Sequence, residues 1–267
     1  MRCGALFIVA LGACSFRATP VAIQSDPGAP IDAAAPLPDA AAVAPAPPSE
    51  YCDPTTGTAA GHVFACFEFE GSAGDGSSTM LTTNTADLSF VPGQVGQAVG
   101  FTTDSAIDIT ESPVFDAGSL TMEMWINPSK LPSGDIDTVY LLDVNNQYAF
   151  QLKKDGSLHC TLIDGKSLDG SANIQTNHWT HVACTYDQTT GASVLYANGS
   201  QLNSDSGTPG KPLSNRGSTG MSLGADNAPE DPAQRSRVTG LLDQVRLLNV
   251  ARTKQEICDD SGLATCQ

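Results

Sequence analysis

The sequence predicts an all-β fold, and three observations carry that prediction. Residues 51–267 contain many short segments in which apolar and polar side chains alternate, a pattern typical of half-buried strands. Asp-Gly and Asn-Gly pairs separate several of these segments, as tight hairpins require. Helical periodicity is confined to residues 253–258. About twelve short strands joined by regular turns indicate a sandwich or a barrel.

Three strands show the alternation clearly. In each of them, one set of side chains is predicted to face the core and the intervening set to face away. The core-facing sets are Leu120, Met122, Met124 and Ile126; Leu158, Cys160 and Leu162; and Val182, Cys184 and Tyr186.

Composition excludes several classes of protein. The formal net charge is −16 and the pI is about 4.3, so the chain repels phosphate backbones and nucleic-acid binding is excluded. No apolar run reaches the ~18 residues of a membrane-spanning helix. The length of 267 residues allows one large all-β domain or two small ones.

The N-terminus has the pattern of an export signal. Arg2 precedes a short apolar segment, and Leu11-Gly12-Ala13-Cys14 follows it; small residues before a cleavage point suit a signal peptidase. This tetrapeptide resembles the lipobox of bacterial lipoproteins. The resemblance implies a signal peptide over residues 1–13, diacylglycerol on the thiol of Cys14, and, with Ser15 next, anchoring in the outer membrane or at the cell surface. A secretory signal with an incidental cysteine and a buried N-terminal strand are the alternatives.

A linker is predicted after the anchor, over residues 14–50. Residues 15–50 contain 11 Ala and 8 Pro. Proline removes backbone donors and the alanines are too small to build a core, so we expect a disordered stalk that reaches on the order of 100 Å when stretched. A cleaved pro-segment is the alternative.

The cysteine count indicates disulfides in the folded domain, residues 51–267. Beyond Cys3 and Cys14, an even number remains: Cys52, Cys66, Cys160, Cys184, Cys258 and Cys266. Six cysteines in an exported chain allow 15 pairings. Sequence proximity favours Cys52–Cys66 and Cys258–Cys266, which leaves Cys160 with Cys184.

Five segments, in order, give the domain a familiar pattern. They are Phe67-Glu68-Phe69-Glu70-Gly71, the glycine-rich residues 93–101, residues 118–126 ending in Met124-Trp125-Ile126, residues 178–187 followed by Asn198-Gly199, and residues 240–249 followed by Ala251-Arg252. Residues 62–258 thus resemble a laminin-G-like domain of the concanavalin A-like lectin/glucanase superfamily. The resemblance implies a jelly roll of two antiparallel sheets.

Catalysis is not expected. Glucanases of the superfamily that this domain resembles use a Glu-x-Asp-x-x-Glu strand, in which two carboxylates on one face act as nucleophile and acid. The sequence contains no Glu-x-Asp. Glu68 and Glu70, predicted to share a strand face, are the nearest imitation.

The same resemblance implies one structural calcium ion. It would lie near Glu70 and Asp243, with Asp75 of the Gly74-Asp75-Gly76 loop adjoining. A hard cation takes such oxygen ligands. Alternatively, Asp243 caps a turn through backbone amides.

These features predict a non-catalytic cell-envelope module that binds carbohydrate or another surface ligand; a protein–protein adhesion or scaffold lipoprotein is the alternative. Tyr140 and Tyr148, with Tyr196, are the candidate exposed aromatic plates for a sugar. Residues 129–137, 203–216 and 225–237 are the candidate rim, since long loops often carry recognition. The negative charge favours neutral glycans or cationic partners, and the lipid anchor would be the sole contact with the membrane.

Overall fold

The computed structural model describes residues 49–145, 147–162, 166–213, 220–227 and 235–262. The predicted signal peptide, Cys14 and the linker up to residue 48 lie outside these residues. In the described part, no helix is long and apolar enough to cross a membrane.

Fifteen strands form in the described residues, with one 3-10 turn, Pro113–Phe115, and one helix, α1 (Lys254–Asp260). The first eight strands are β1 (Val63–Phe67), β2 (Thr83–Ala86), β3 (Ser89–Pro92), β4 (Gln97–Phe101), β5 (Ala106–Ile109), β6 (Leu120–Pro128), β7 (Thr138–Val144) and β8 (Tyr148–Lys153). The others are β9 (Leu158–Leu162), β10 (Lys166–Gly170), β11 (Thr180–Tyr186), β12 (Ala192–Ala197), β13 (Ser200–Ser206), β14 (Met221–Leu223) and β15 (Gly240–Leu248). Strands as short as β14 show too little alternation to be recognised in sequence.

The strands form two antiparallel sheets, which confirms the predicted sandwich. One sheet has eight strands in the order β13-β12-β11-β6-β15-β4-β3, with β1 also paired to β15. The other has seven, in the order β10-β9-β8-β7-β14-β5-β2. Many neighbours in each sheet, such as β6 and β15, are distant in sequence, so local hairpins alone do not build either sheet.

The core lies between the sheets and uses the predicted alternation. Leu120, Met122, Met124 and Ile126 of β6 are at most 1% exposed, and the alternate residues of β9 and β11 join them. Apolar area removed from water stabilises a fold by about 25 cal/mol per Å². Period-2 burial on both sheets therefore supplies the main driving force for closing the sandwich.

The outer face of the eight-stranded sheet differs from the sequence expectation. The alternation predicts that the intervening residues of β6 and β11 face away from the core, and on that face Glu123 and His181 are nevertheless buried. Helix α1 packs Ile257 against Ala183 and Tyr196, and the segment before β1 covers the neighbouring region. The middle of this sheet, around Glu123 and His181, is therefore covered on both faces.

Helix α1 begins with a capping box. The hydroxyl of Thr253 accepts a hydrogen bond from the Glu256 amide, and the Glu256 carboxylate accepts one from the Thr253 amide. A capping box satisfies two orphan donors of the first turn. This explains why the one predicted helical segment forms where it does.

Two of the expected disulfides are present. Cys52–Cys66 joins the segment before β1 to that strand, and Cys160–Cys184 joins β9 to β11, linking the two sheets across the core. Cys258 is also disulfide-bonded, and Cys266 lies outside the described residues.

The predicted hairpin turns have the required backbone. Asn198 and Gly199, between β12 and β13, have φ of 47° and 68°, as a type I′ turn needs. Gly156, between β8 and β9, has φ of 76°. The Asp164-Gly165 pair lies outside the described residues.

The burial of His181 predicts acid sensitivity. Burial lowers the pKa of His181 to about 4, whereas an unfolded histidine titrates near 6.5. As the pH falls, the unfolded state therefore takes up a proton at His181 before the folded state does. The stability that depends on neutral His181 is complete above pH 6.5 and is lost as the pH falls towards 4. Between pH 7.5 and 4.5, we expect the parent to lose about 2 kcal/mol more unfolding free energy than His181→Phe.

Urea unfolding across that pH range measures the difference. The matched control is His178→Phe, which changes an exposed histidine three residues away and should leave the pH slope of the parent intact. Parallel slopes for the parent and His181→Phe would contradict the prediction.

Candidate functional site

The outer face of the seven-stranded sheet carries a continuous set of polar side chains. Strand register places Tyr140 opposite Gln151, Gln151 opposite His159, and His159 opposite Asp169. A second row begins with Asp108 and continues through Ser222 to Asp143. We call this surface the polar face: Asp108, Tyr140, Asp143, Gln151, His159, Asp169 and Ser222.

The structure separates the three predicted tyrosines. Tyr140 is half-buried on the polar face. Tyr148 was wrongly predicted to be exposed: it is 1% exposed and points into the core, where its hydroxyl donates to the carbonyl of Phe115 at 3.2 Å. Tyr196 is buried beneath α1. Of the three, Tyr140 alone is partly exposed.

One edge of the polar face is held by an arginine clamp. Arg235 donates to both carboxylate oxygens of Asp108, at 2.7 and 3.0 Å, and to the hydroxyl of Ser222 at 2.8 Å. Burial acts to raise the pKa of Asp108, but the bonds from Arg235 and Ser222 outweigh it and lower that pKa. The clamp therefore stays charged at neutral pH and fixes the chain at Arg235 onto the sheet.

Two acidic side chains next to Tyr140 have raised pKa values. Burial raises the pKa of Asp143 to about 6, and the charge of Asp226 adds to the rise although the Asn227 amide opposes it. Burial also raises the pKa of Asp226. Burial and then the charges of both acids raise the pKa of Tyr140. The three side chains thus share one poorly solvated region with strong hydrogen-bond acceptors, as ligand sites often do.

Two of the three predicted rim loops meet at one end of the sandwich. Residues 129–137 and 235–239 enclose a cavity of about 250 Å³. We call it the end cavity. Val139 and Leu152 lie on its inner side, and Arg235 lines it as well as the polar face. The polar face and the end cavity are therefore adjoining parts of one surface.

The third predicted rim segment, residues 203–216, differs from expectation. Its first residues belong to β13, at the edge of the other sheet. Lys211 accepts a hydrogen bond from the Tyr186 hydroxyl at 2.5 Å through its carbonyl. Residues 214–216 lie outside the described part of the chain.

Asp243 and Glu70 hold the turn between β3 and β4. Asp243 accepts hydrogen bonds from the amides of Gln94 and Val95 at 2.8 and 2.9 Å through one oxygen, and Glu70 accepts from Gln97. The second oxygen of Asp243 is buried with no hydrogen-bond partner in the described structure. Burial, despite these amide bonds, and the charge of Glu70 raise the pKa of Asp243 to about 6.

Asp75 does not share this arrangement. Its carboxylate accepts from the amides of Cys66, Ser77 and Leu81 and from the Ser77 hydroxyl, at 2.8 to 3.0 Å. These bonds hold the loop that contains Asp75, and none of them reaches the β3–β4 turn. No group of three or more acidic, His or Cys side chains suited to a metal occurs among the described residues. A metal at this turn would need backbone carbonyls or water to complete its shell.

Glu68 and Glu70 do not share a strand face as predicted. Strand β1 ends at Phe67, and Phe69 between the two acids is buried with φ of 61°. This left-handed residue breaks the alternation, so the two carboxylates do not form a glucanase-like pair.

Sequence reasoning missed Asp108 and Asp143, and it included Asp226 and Arg235 only as members of the candidate rim 225–237. No short motif contains them, because strand register and the return of a loop bring them together. The one available signal was the pair Arg235 and Arg237, two cations close together in a chain with 29 acidic and 13 basic residues.

Comparison with known proteins supports the fold. Domain 4 of AbnA, an extracellular arabinanase from Geobacillus stearothermophilus solved with arabinotriose, superposes with a TM-score of 0.57 at 20% identity, covering 74% of this chain and 97% of that one. The binding domain of Paraclostridial Mosquitocidal Protein 1 gives 0.59 at 18% identity, covering 75% and 52%. The binding domain of Botulinum neurotoxin DC, solved with rat synaptotagmin II, gives 0.57 at 14%, covering 76% and 51%.

This chain therefore spans about half of each toxin binding domain. No curated protein matches the sequence. The family model Laminin_G_3, described as concanavalin A-like lectin/glucanases superfamily, matches residues 101–258. With the two-sheet sandwich, that match shows that the chain belongs to the laminin-G-like family of the concanavalin A-like lectin/glucanase superfamily.

Proposed function

We propose that this protein is a non-catalytic module that binds carbohydrate on the polar face. The observation that carries the proposal is the environment of Tyr140. Its half-exposed ring lies among hydrogen-bond acceptors on the polar outer face of the seven-stranded sheet. An aromatic ring offers an apolar surface with a defined orientation, which suits the C–H face of a sugar. Carboxylate and amide oxygens beside it accept bonds from sugar hydroxyls.

The polar side chains of this face support binding rather than turnover. Asp108 is held in the clamp with Arg235, and Asp143 accepts the amide of Asn227 at 2.8 Å. Asp169 is shared between Lys153 and His159, at 3.0 and 2.9 Å. Acids engaged in this way hold the surface in shape. The arabinanase domain solved with arabinotriose supports a glycan as the ligand class.

Replacing Tyr140 should weaken glycan binding. We expect Tyr140→Ala to reduce the affinity for a neutral oligosaccharide, identified on a glycan array, by tenfold or more, since buried aromatic contacts commonly dominate binding. Tyr140→Phe, which keeps the ring, should retain most of it. Calorimetric titration of the full chain in detergent measures both affinities.

Trp125→Phe is the matched control, because Trp125 is a half-buried aromatic residue on the outer face of the other sheet. It should bind as the parent does. Equal loss in Trp125→Phe and Tyr140→Ala, or an array without any signal, would contradict carbohydrate binding at this face. A protein that copurifies and is displaced by no sugar would favour the adhesion alternative, which the synaptotagmin complex of the toxin domain supports.

We also propose that the chain is a lipoprotein anchored through Cys14 in the bacterial cell envelope, at the outer membrane or cell surface. Residues 11–14 carry this proposal. Two or more acyl chains anchor a protein stably, at about 0.8 kcal/mol per buried CH₂.

Cys14→Ala should abolish incorporation of labelled palmitate and move the protein from the membrane to the soluble fraction. The control is Cys3→Ala, which should leave both unchanged; palmitate labelling of Cys14→Ala would refute the anchor.

We further propose a calcium ion at Glu70 and Asp243. The buried, unpartnered oxygen of Asp243 and the adjacent Glu70 suit a hard cation. When bound, the ion would supply a structural link between the end of β1, the β3–β4 turn and β15. The residues themselves already hold that turn through its amides.

Calcium should therefore raise the melting temperature. At about 100 times its dissociation constant, a ligand that binds only the folded state contributes about 2.7 kcal/mol, or a rise of several degrees for a domain of this size. Asp243→Asn should lose the difference between calcium and EDTA. Asp75→Asn, the control, should lower the melting temperature yet keep that difference; identical melting of the parent in calcium and EDTA would refute the site.

A further inference from the structure

The end cavity concentrates positive charge in an acidic protein. The chain carries −16 overall, but Lys130, Arg235 and Arg237 all line this cavity, and no acidic residue is among its described lining. Arg235 is already committed to Asp108. The other two cations make no ion pair with a described residue, although the charges of Asp108 and Asp226 act on Arg237 from nearby.

Two residues that line this cavity each carry a polar atom without a hydrogen-bond partner in the described chain. Nε of Arg237 and the hydroxyl oxygen of Thr239 are buried without a hydrogen-bond partner. A buried polar group left without a partner costs about 1–3 kcal/mol, and such groups are rare in folded proteins. Both residues line the end cavity, so the unpartnered polar atoms of the described chain include two at this place.

The remaining walls are apolar. Leu131, Pro132 and Val238 line the cavity, and Ile136, one of the few large apolar residues exposed in the described structure, contributes to it. The occupant therefore combines an anionic group with a body that has apolar faces. A volume of about 250 Å³ falls below the roughly 300–1,000 Å³ of sites for drug-sized ligands, so it accommodates one small unit of a chain.

We propose that the end cavity binds the carboxylate of one uronic acid residue within a largely neutral glycan. A guanidinium presents planar, paired donors that match a carboxylate, and the Thr239 hydroxyl and Lys130 add further donors. This inference rests on the proposed carbohydrate binding and specifies which sugar the surface selects. Since the overall negative charge repels polyanions, a single uronate suits the site better than a chain of them.

Three matched disaccharides test the proposal by calorimetric titration of the full chain in detergent. The first ends in glucuronic acid, the second is its methyl ester, and the third ends in glucose. We expect the acid to bind at least tenfold more tightly than the ester or the neutral sugar. Arg237→Gln should lower the affinity for the acid to about that for the ester, which removes the preference. Thr239→Val, a second variant of similar shape, should reduce it severalfold.

Lys254→Gln is the charge control, because Lys254 lies on α1 over the other sheet, and it should keep the full preference. Melting curves establish that each variant is folded. Equal affinities for the three disaccharides would overturn the carboxylate site and leave the proposed function standing, whereas no binding of any disaccharide, together with an array without any signal, would overturn both. Displacement of the acid by equimolar acetate would overturn recognition of the sugar.

Discussion

The covered face of the eight-stranded sheet depends on one buried carboxylate. Glu123 has no exposed side-chain surface and lies among the guanidinium groups of Arg246 and Arg252, which also contact Asp260. Burial raises the pKa of Glu123, and the two arginines oppose that rise. The cluster contains two carboxylates and two guanidinium groups, so its net charge is zero when all four are ionised. Removing one partner of a buried pair commonly costs 3–5 kcal/mol, so this cluster is costly to disturb.

The same cluster decides which sheet is open to ligands. Arg246 lies over the ring of Tyr51 at 4.1 Å and donates to the Tyr51 carbonyl at 3.1 Å, while Asp260 belongs to α1. The segment before β1 and the helix are thus tied onto one outer face, burying Glu123 and His181. On the outer face of the seven-stranded sheet, Tyr140, His159 and Asp169 stay at least partly exposed, as the proposed glycan site requires.

The alternation of apolar and polar residues predicted those features of the fold that depend on local sequence. The inward residues of β6, β9 and β11 were identified because burial repeats every two residues. The same rule places Tyr148 inside, two residues before buried Phe150, so the error at Tyr148 could have been avoided. Tyr196 could not be placed in this way, because α1 covers the outer face on which it lies. The meeting of Asp143, Asp226 and Arg235 depends on strand register and on an isolated bridge between residues 225 and 237, which no local pattern encodes.

Arg235 joins the two parts of the proposed site. It anchors to Asp108 and Ser222 on the polar face, and its Nε donates to the Asp226 carbonyl at 2.6 Å, while Ala225 and Arg237 pair as a bridge beside it. These contacts hold residues 225–226 and 235–237 together. They place Asp226 near Tyr140 and Arg237 in the end cavity. A glycan that crosses from one part to the other would therefore contact a surface whose spacing is set by a single ion pair, and that pair stays charged because its bonds lower the pKa of Asp108.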